Sequence, residues 1–260
     1  MPKEYIFCLG AAGSIGSELC RQFKRVVAID TDESGIFGLE GVIPEIANIR
    51  NRERMEELFQ KYKPKIVFHA AAYKHLSNYE REHMEEIIMT NVIGTLNIIK
   101  LCEKYKSKLI FISTDKAVNP TSLMGTTKLL GEMMVKRAGG IIVRFGNVWG
   151  SRGSISEIWS KQFDEGKPIT ITDIRMKRYF MSIENACELV IEASKKGKAG
   201  ETFILDMGKQ KLVYHMARSM YEDYPIKFIG IKEGEKLEEE LMTEEEKSRK
   251  IKKGKFFILK

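Results

Sequence analysis

The chain has 260 residues, 43% hydrophobic and 30% charged, enough to bury an ordinary core near the upper size limit for one domain. This composition excludes disorder, collagen and coiled coil, and no apolar run reaches the roughly 18 residues needed to span a bilayer. The net charge of +7 resides in KSRKIKKGKFFILK at 247–260, which has seven basic residues and no acid, so the rest is balanced and offers no basic groove for nucleic acid. The tail reads as a solvated end. The opening MPKEYIFCLGAAG lacks the long apolar stretch of a secretory signal, and the expectation is a soluble, cytoplasmic protein.

Apolar runs of strand length alternate with amphipathic stretches, the pattern of a parallel sheet wrapped by helices. The predicted strands are YIFCL (5–9), VVAID (26–30), KIVFHA (65–70), KLIFIS (108–113), GIIVRF (140–145) and TFILD (202–206). Between them, 51–62 predicts a helix capped by Asn51, with Met55, Leu58, Phe59 and Tyr62 on one face. Another helix is expected over 121–138. The stretch from Asp30 to Arg50 looks too short for the usual helix, strand and Gly-Asp turn. From about residue 150 the alternation loosens, which divides the chain into a core at 1–150 and, at 151–260, elements laid over the sheet with some segments returning to it. Cys8, Cys20, Cys102 and Cys187 lie far apart without a CxxC and read as buried thiols. His83 and His215 show no shared metal-ligand spacing, and His69, inside a strand, reads as structural.

The first strand runs into Gly10-Ala-Ala-Gly13-Ser14-Ile15-Gly16 and then a helix. Glycines there let the backbone approach a pyrophosphate, and the helix offers unpaired N–H groups to it. Asp30 ends the next strand, 20 residues after Gly10, where a carboxylate accepts from ribose hydroxyls and repels a 2′-phosphate. NAD is therefore expected ahead of NADP. Ala70, Ala71 and Ala72, just past another strand, are small enough for a flat cofactor to lie close. After the strand at 108–113 come Thr114, Asp115 and Lys116, then Met124 and Lys128 on one face of a helix.

Taken together, GAAGSIGSEL, VFHAAAYKH, STDKAVNPTSLMGTTK, VRFGNVWGSRGS, RYFMSIENA and GEKLEEEL resemble the extended short-chain dehydrogenase/reductases, and within them the UDP-N-acetylglucosamine 4,6-dehydratases of polysaccharide biosynthesis. The resemblance implies an α/β fold, a Rossmann-type doubly wound parallel sheet with a small C-terminal substrate-binding region. The superfamily's Tyr-x-x-x-Lys pair is here Met124 and Lys128, a departure shared by one branch of the dehydratases. A thioether takes no proton, so Asp115 and Lys116 are the available proton-transfer groups. The implied reaction oxidises sugar C4 by bound NAD, eliminates water across C5 and C6, and returns the hydride to C6. On that reading Asp115 serves the C4 or the leaving C6 hydroxyl, Lys116 the C5 proton, Thr114 the C4 oxygen and Lys128 the nicotinamide ribose. Lys116, in place of the Glu of retaining relatives, points to inversion at C5. UDP-sugar 4- or 5-epimerisation and a catalytically inactive nucleotide-binding relative are the alternatives.

The resemblance also places Asn48 and Ile49 beside adenine, with Asn48 standing for an expected aspartate. Asn147 and Arg178 line the substrate channel, and Lys74 and His75 lie close to the sugar. An arginine fork suits a diphosphate, which makes Arg144 and Arg152 further candidates. Relatives read Arg-Pro-Gly-Glu-Lys where this chain has Lys232-Glu233-Gly234-Glu235-Lys236, so Lys232 and Glu235 fall at the diphosphate, and Glu233 repels it if turned inward. A homo-oligomer built by helix pairing is implied as well.

Overall fold

A computed structural model describes residues 4–75 and 78–260. Seven parallel strands form the centre: β1 (Ile6–Leu9), β2 (Val26–Asp30), β3 (Ile43–Ile46), β4 (Ile66–His69), β5 (Lys108–Thr114), β6 (Ile141–Phe145) and β7 (Thr202–Leu205). An antiparallel hairpin, β8 (Ile251–Lys253) and β9 (Phe256–Leu259), completes one edge, so the order is β8-β9-β7-β6-β5-β4-β1-β2-β3. Strands β4, β5 and β6 are covered on both faces, which is why they read as nearly continuous apolar runs. The helix Arg52–Tyr62 forms as predicted: the Asn51 side chain accepts from the Arg54 N–H, and Met55, Leu58, Phe59 and Tyr62 are buried.

Two expectations are corrected. The stretch after Asp30 does hold a helix and a strand, because the helix Glu33–Phe37 takes little more than one turn and leaves room for β3. Strand β3 is the sheet edge, where Pro44 is tolerated although it lacks an N–H. The basic tail is no loose solvated end either. Phe256, Ile258 and Leu259 are buried against β7, while Lys250 and Lys252 lie over the exposed side of the Phe257 ring at 5.0 and 5.4 Å. The apolar run of β9 is buried on β7, while the lysines of the tail lie on the exposed strand β8 and at the ends of the hairpin.

One core packs Leu19, Phe68, Val143 and Val190 on one sheet face, and a second packs Leu58, Phe59, Ile98 and Phe111 on the other. All four cysteines are buried and free, as expected. A third, smaller core around Trp159, Ile171, Met176 and Val213 lies under three two-stranded pairings contributed by residues 147–228. The strand order reverses at β1, between β2 and β4, which opens a crevice at the carboxyl ends of these strands.

Candidate active site

That crevice holds a cavity of about 260 Å³ lined by Gly10, Gly13, Asp30, Asn48, Ile49, Ala70, Ala71 and Ala72, all expected from the sequence, together with Thr31, Arg50, Tyr73 and Thr90. Gly10 has φ +80°, and a Cβ there would stand 2.6 Å from the Ala71 nitrogen, so only glycine lets the turn press against the end of β4. At Gly16 a Cβ would meet the Gly10 carbonyl oxygen at 2.0 Å, which seats the helix Ser14–Gln22 directly on the turn. No side chain caps that helix, leaving its first N–H groups to an anion.

Ser14, Ile15 and Gly16 do not line the cavity with their side chains; they form the helix start beside it. Gly16 faces the turn, Ile15 packs on the core, and the Ser14 hydroxyl accepts from the Arg152 backbone N–H at 2.8 Å. The Asp30 carboxylate accepts from Ala12 N–H at 2.9 Å, Thr31 N–H at 2.7 Å and Asp32 N–H at 3.2 Å. Three of about four lone-pair sites are thus used within the chain, which suits one further ribose hydroxyl better than two. Asn48 accepts from the Arg50 N–H at 3.0 Å, and Arg50 pairs with Glu86. Asn91, on the π-helical turn Met89–Gly94, exchanges two hydrogen bonds with the Tyr73 backbone and so fixes the alanine wall. These residues fit a dinucleotide: a glycine turn free of side chains, an unsatisfied helix start and a carboxylate at the strand end.

Around the end of β5 the chain makes a tight turn, Asp115–Ala117, in which the Thr114 hydroxyl donates to Asp115 Oδ1 at 3.0 Å. Lys116 Nζ donates to Asp115 Oδ1 and to Asn147 Oδ1, each at 3.0 Å. The structure brings together Thr114, Asp115 and Lys116, adjacent in sequence, and Asn147 from a separate segment. It adds Glu239, whose Oε1 stands 3.8 Å from Lys116 Nζ. Asp115 is fully buried, and its Oδ2 faces Gly146, where a Cβ would lie 2.9 Å from that oxygen.

Met124 is buried, with its N–H bound to Glu80 Oε1 at 2.8 Å, so a carboxylate from another segment helps satisfy the start of the helix Leu123–Arg137. Lys128 is buried beneath the site, its ammonium donating to the Ile112 carbonyl and lying 4.0 Å over the Phe111 ring. Burial pushes its pKa down to about 7. His69 is structural, as expected: its Nε2 lies 3.0 Å from the Thr95 hydroxyl, and burial lowers its pKa to about 3.

The expected substrate residues divide. Lys74 Nζ donates to the Arg152 carbonyl at 2.7 Å, with desolvation and the Arg152 and Lys116 charges lowering its pKa. The His75 ring packs on Gly153, and desolvation followed by the Lys74 charge lowers its pKa as well. Arg152 lies against the glycine turn, its guanidinium 3.2 Å from Asp32, so it is displaced toward the cofactor side. Arg178 is buried, donating to the carbonyls of Lys177 and Leu237, with Glu235 at 4.0 Å. Lys232 is exposed and its N–H donates to Glu235. Glu233 faces outward and pairs with Arg81, which removes the expected repulsion.

Arg144 is no diphosphate ligand. Its fork is buried between Glu132 and Glu246, at 2.5 and 2.9 Å, and it donates to the Leu241 carbonyl at 3.0 Å. The segment that supplies Glu246 also lies over the turn after β5, through Lys236 Nζ to the Val118 carbonyl at 2.7 Å and the Thr121 hydroxyl to the Gly234 carbonyl at 2.9 Å. Glu239, Glu80 and Asn91 were missed by sequence reasoning. Only Glu239 leaves a trace, as an acid set between Leu237 and Leu241 in GEKLEEEL.

A family model described as polysaccharide biosynthesis protein matches residues 6–260. The chain is 39% identical to the probable polysaccharide biosynthesis protein EpsC of Bacillus subtilis over 93% of its own length, and spans 45% of that longer relative. It is 33% identical to the UDP-N-acetylglucosamine 4,6-dehydratase (inverting) of Campylobacter jejuni serotype O:2, over 94% of this chain and 79% of that one. Among solved structures it resembles Pen from Bacillus thuringiensis, with 33% identity and a TM-score of 0.92, covering 98% of this chain and 86% of that one. No helix among the described residues is long and apolar enough to cross a membrane.

Proposed function

This chain belongs to the polysaccharide biosynthesis protein family, and from that premise we propose that it is a nucleotide-sugar 4,6-dehydratase acting with NAD on UDP-N-acetylglucosamine or a close UDP-hexosamine. The observation that carries the reading is the Asp115–Lys116–Asn147 cluster at the end of β5, which offers proton-transfer groups where Met124 has none, with β4 between it and the strand that leads into the glycine turn. When bound, the nicotinamide supplies the transient oxidation at sugar C4. Asp30 and the helix start hold the dinucleotide, and the carboxylate favours NAD over NADP. The Thr114 hydroxyl positions the C4 oxygen, Asp115 moves a proton at the C4 or C6 hydroxyl, and Lys116 takes the C5 proton. An amine able to return that proton on the opposite face supports inversion at C5. Arg178, Lys74 and Lys232 are the cations assigned to the nucleotide sugar.

Apolar side chains exposed on neighbouring helices, Met84, Ile88, Leu130 and Met133, support pairing with a second copy, which light scattering tests. The activity is tested by mass spectrometry after incubation with UDP-N-acetylglucosamine and NAD. Loss of one water is the expected result, and NMR of the product in deuterated solvent reads the C5 configuration. An unchanged mass with altered stereochemistry would instead assign epimerisation, and an unchanged substrate would leave a nucleotide-binding protein without turnover.

A further inference from the structure

Two carboxylates and one amine meet at the end of β5, and their hydrogen bonds do not close. Among the described residues, Asp115 Oδ2 and Glu239 Oε2 are buried without a hydrogen-bond partner. Glu239 is 3% exposed, and its backbone is fixed by its N–H donating to Gln210 Oε1 at 3.2 Å. Lys116 Nζ already donates to Asp115 and Asn147 at hydrogen-bonding distance, with Glu239 Oε1 at 3.8 Å in the third direction. A neutral amine has two N–H donors and a lone pair, so those two short bonds satisfy it; an ammonium needs the third acceptor as well. An unpartnered buried carboxylate oxygen costs free energy that protonation relieves.

We propose that Glu239 is the proton partner of Lys116: it takes a proton from the ammonium and so frees the amine that receives the C5 proton of the sugar. The step breaks one N–H bond at Nζ and forms one O–H bond at Glu239, with no electron transferred and no other reactant. The lysine's terminal torsions are free to close the gap to hydrogen-bonding distance. Every charged group facing Glu239 enters the balance. Burial raises its pKa, the Asp115 charge raises it further, and Lys116, Arg178 and Lys236 oppose them, Lys236 Nζ standing 3.9 Å away. Glu239 touches no substrate atom in this scheme and is a positioning residue for the proton, acting through Lys116.

The inference rests on the dehydratase reading, and its test separates the two. In the full wild-type chain with ¹⁵N-lysine and ¹³C-glutamate, the Lys116 Nζ signal is identified by its loss in Lys116→Arg and the Glu239 Cδ signal by its loss in Glu239→Gln. The two signals are expected to titrate together in two coupled steps; independent single steps overturn the proposal whatever the substrate. With UDP-N-acetylglucosamine, Glu239→Gln is expected to lower kcat about a hundredfold and to move the acid limb of the pH profile for C5 deuterium uptake to higher pH, with KM unchanged. An unmoved limb with the wild-type rate overturns it. Wild-type protein that turns over no UDP-hexosamine sinks the dehydratase reading alone, and the titration still decides the partnership.

Discussion

The cavity at β1, β2 and β4 and the corner at the end of β5 are near neighbours on one sheet, yet they are built by opposite means. The cavity is made by backbone. Gly10 and Gly16 allow close approach, short alanines form the wall, and Asp30 spends most of its acceptor capacity on three N–H groups of its own chain. The corner is made by side chains from distant segments. Lys116 meets Asn147 and Glu239, and just beneath it Arg144 bridges Glu132 and Glu246, 102 positions away in the chain. A backbone site needs only a correct local sequence, whereas a side-chain site needs the C-terminal segment folded over the sheet before its charges are balanced.

The sharpest way to break this contrast is Lys116→Ala. It should reduce product formation by about a hundredfold to ten-thousandfold while bound NAD is retained, because the amine belongs to the corner and not to the cavity. Turnover near wild type, measured by mass spectrometry, would discard the assignment. Next in size, Arg144→Ala leaves Glu132 and Glu246 uncompensated and should destabilise the fold by about 3–5 kcal/mol, read from urea midpoints. A loss under 1 kcal/mol would show that the corner does not depend on that bridge.

Gly16→Ala probes the other side. The added methyl meets the Gly10 carbonyl, and a loss of about 1–3 kcal/mol together with weaker NAD binding by calorimetry is expected. The smallest effect concerns pH. Burial brings Lys128 from 10.5 down to about 7, so between those values the unfolded chain holds a proton that the folded one lacks. Stability should therefore rise with pH across that window, by at most about 1.4 kcal/mol per unit. Lys128→Met should flatten this slope in urea titrations from pH 7 to pH 10. An unchanged slope would place the amine in water.

Much of the cavity was legible because its requirements are local. A glycine turn between strand and helix, an acid at the next strand end and three alanines past β4 announce themselves by spacing, and eight of the predicted residues line the cavity. Edge elements were harder. Strand β3 is short and half-exposed with a proline inside, and the β8–β9 hairpin hides its apolar residues among lysines, so neither produced a clear run. At the corner, adjacent Thr114, Asp115 and Lys116 could be read, but Arg144 looked free for a phosphate because nothing near it in sequence reveals Glu132 and Glu246.

The sequence by itself determined the parallel sheet, the glycine turn between strand and helix and the adjacency of Thr114, Asp115 and Lys116, since each follows from periodicity or from neighbours within a few residues. The tertiary structure alone decided which charges meet. Pairing across a hundred positions depends on where the chain returns, and burial, which sets the protonation of Glu239 and Lys128, is a property of the packed whole.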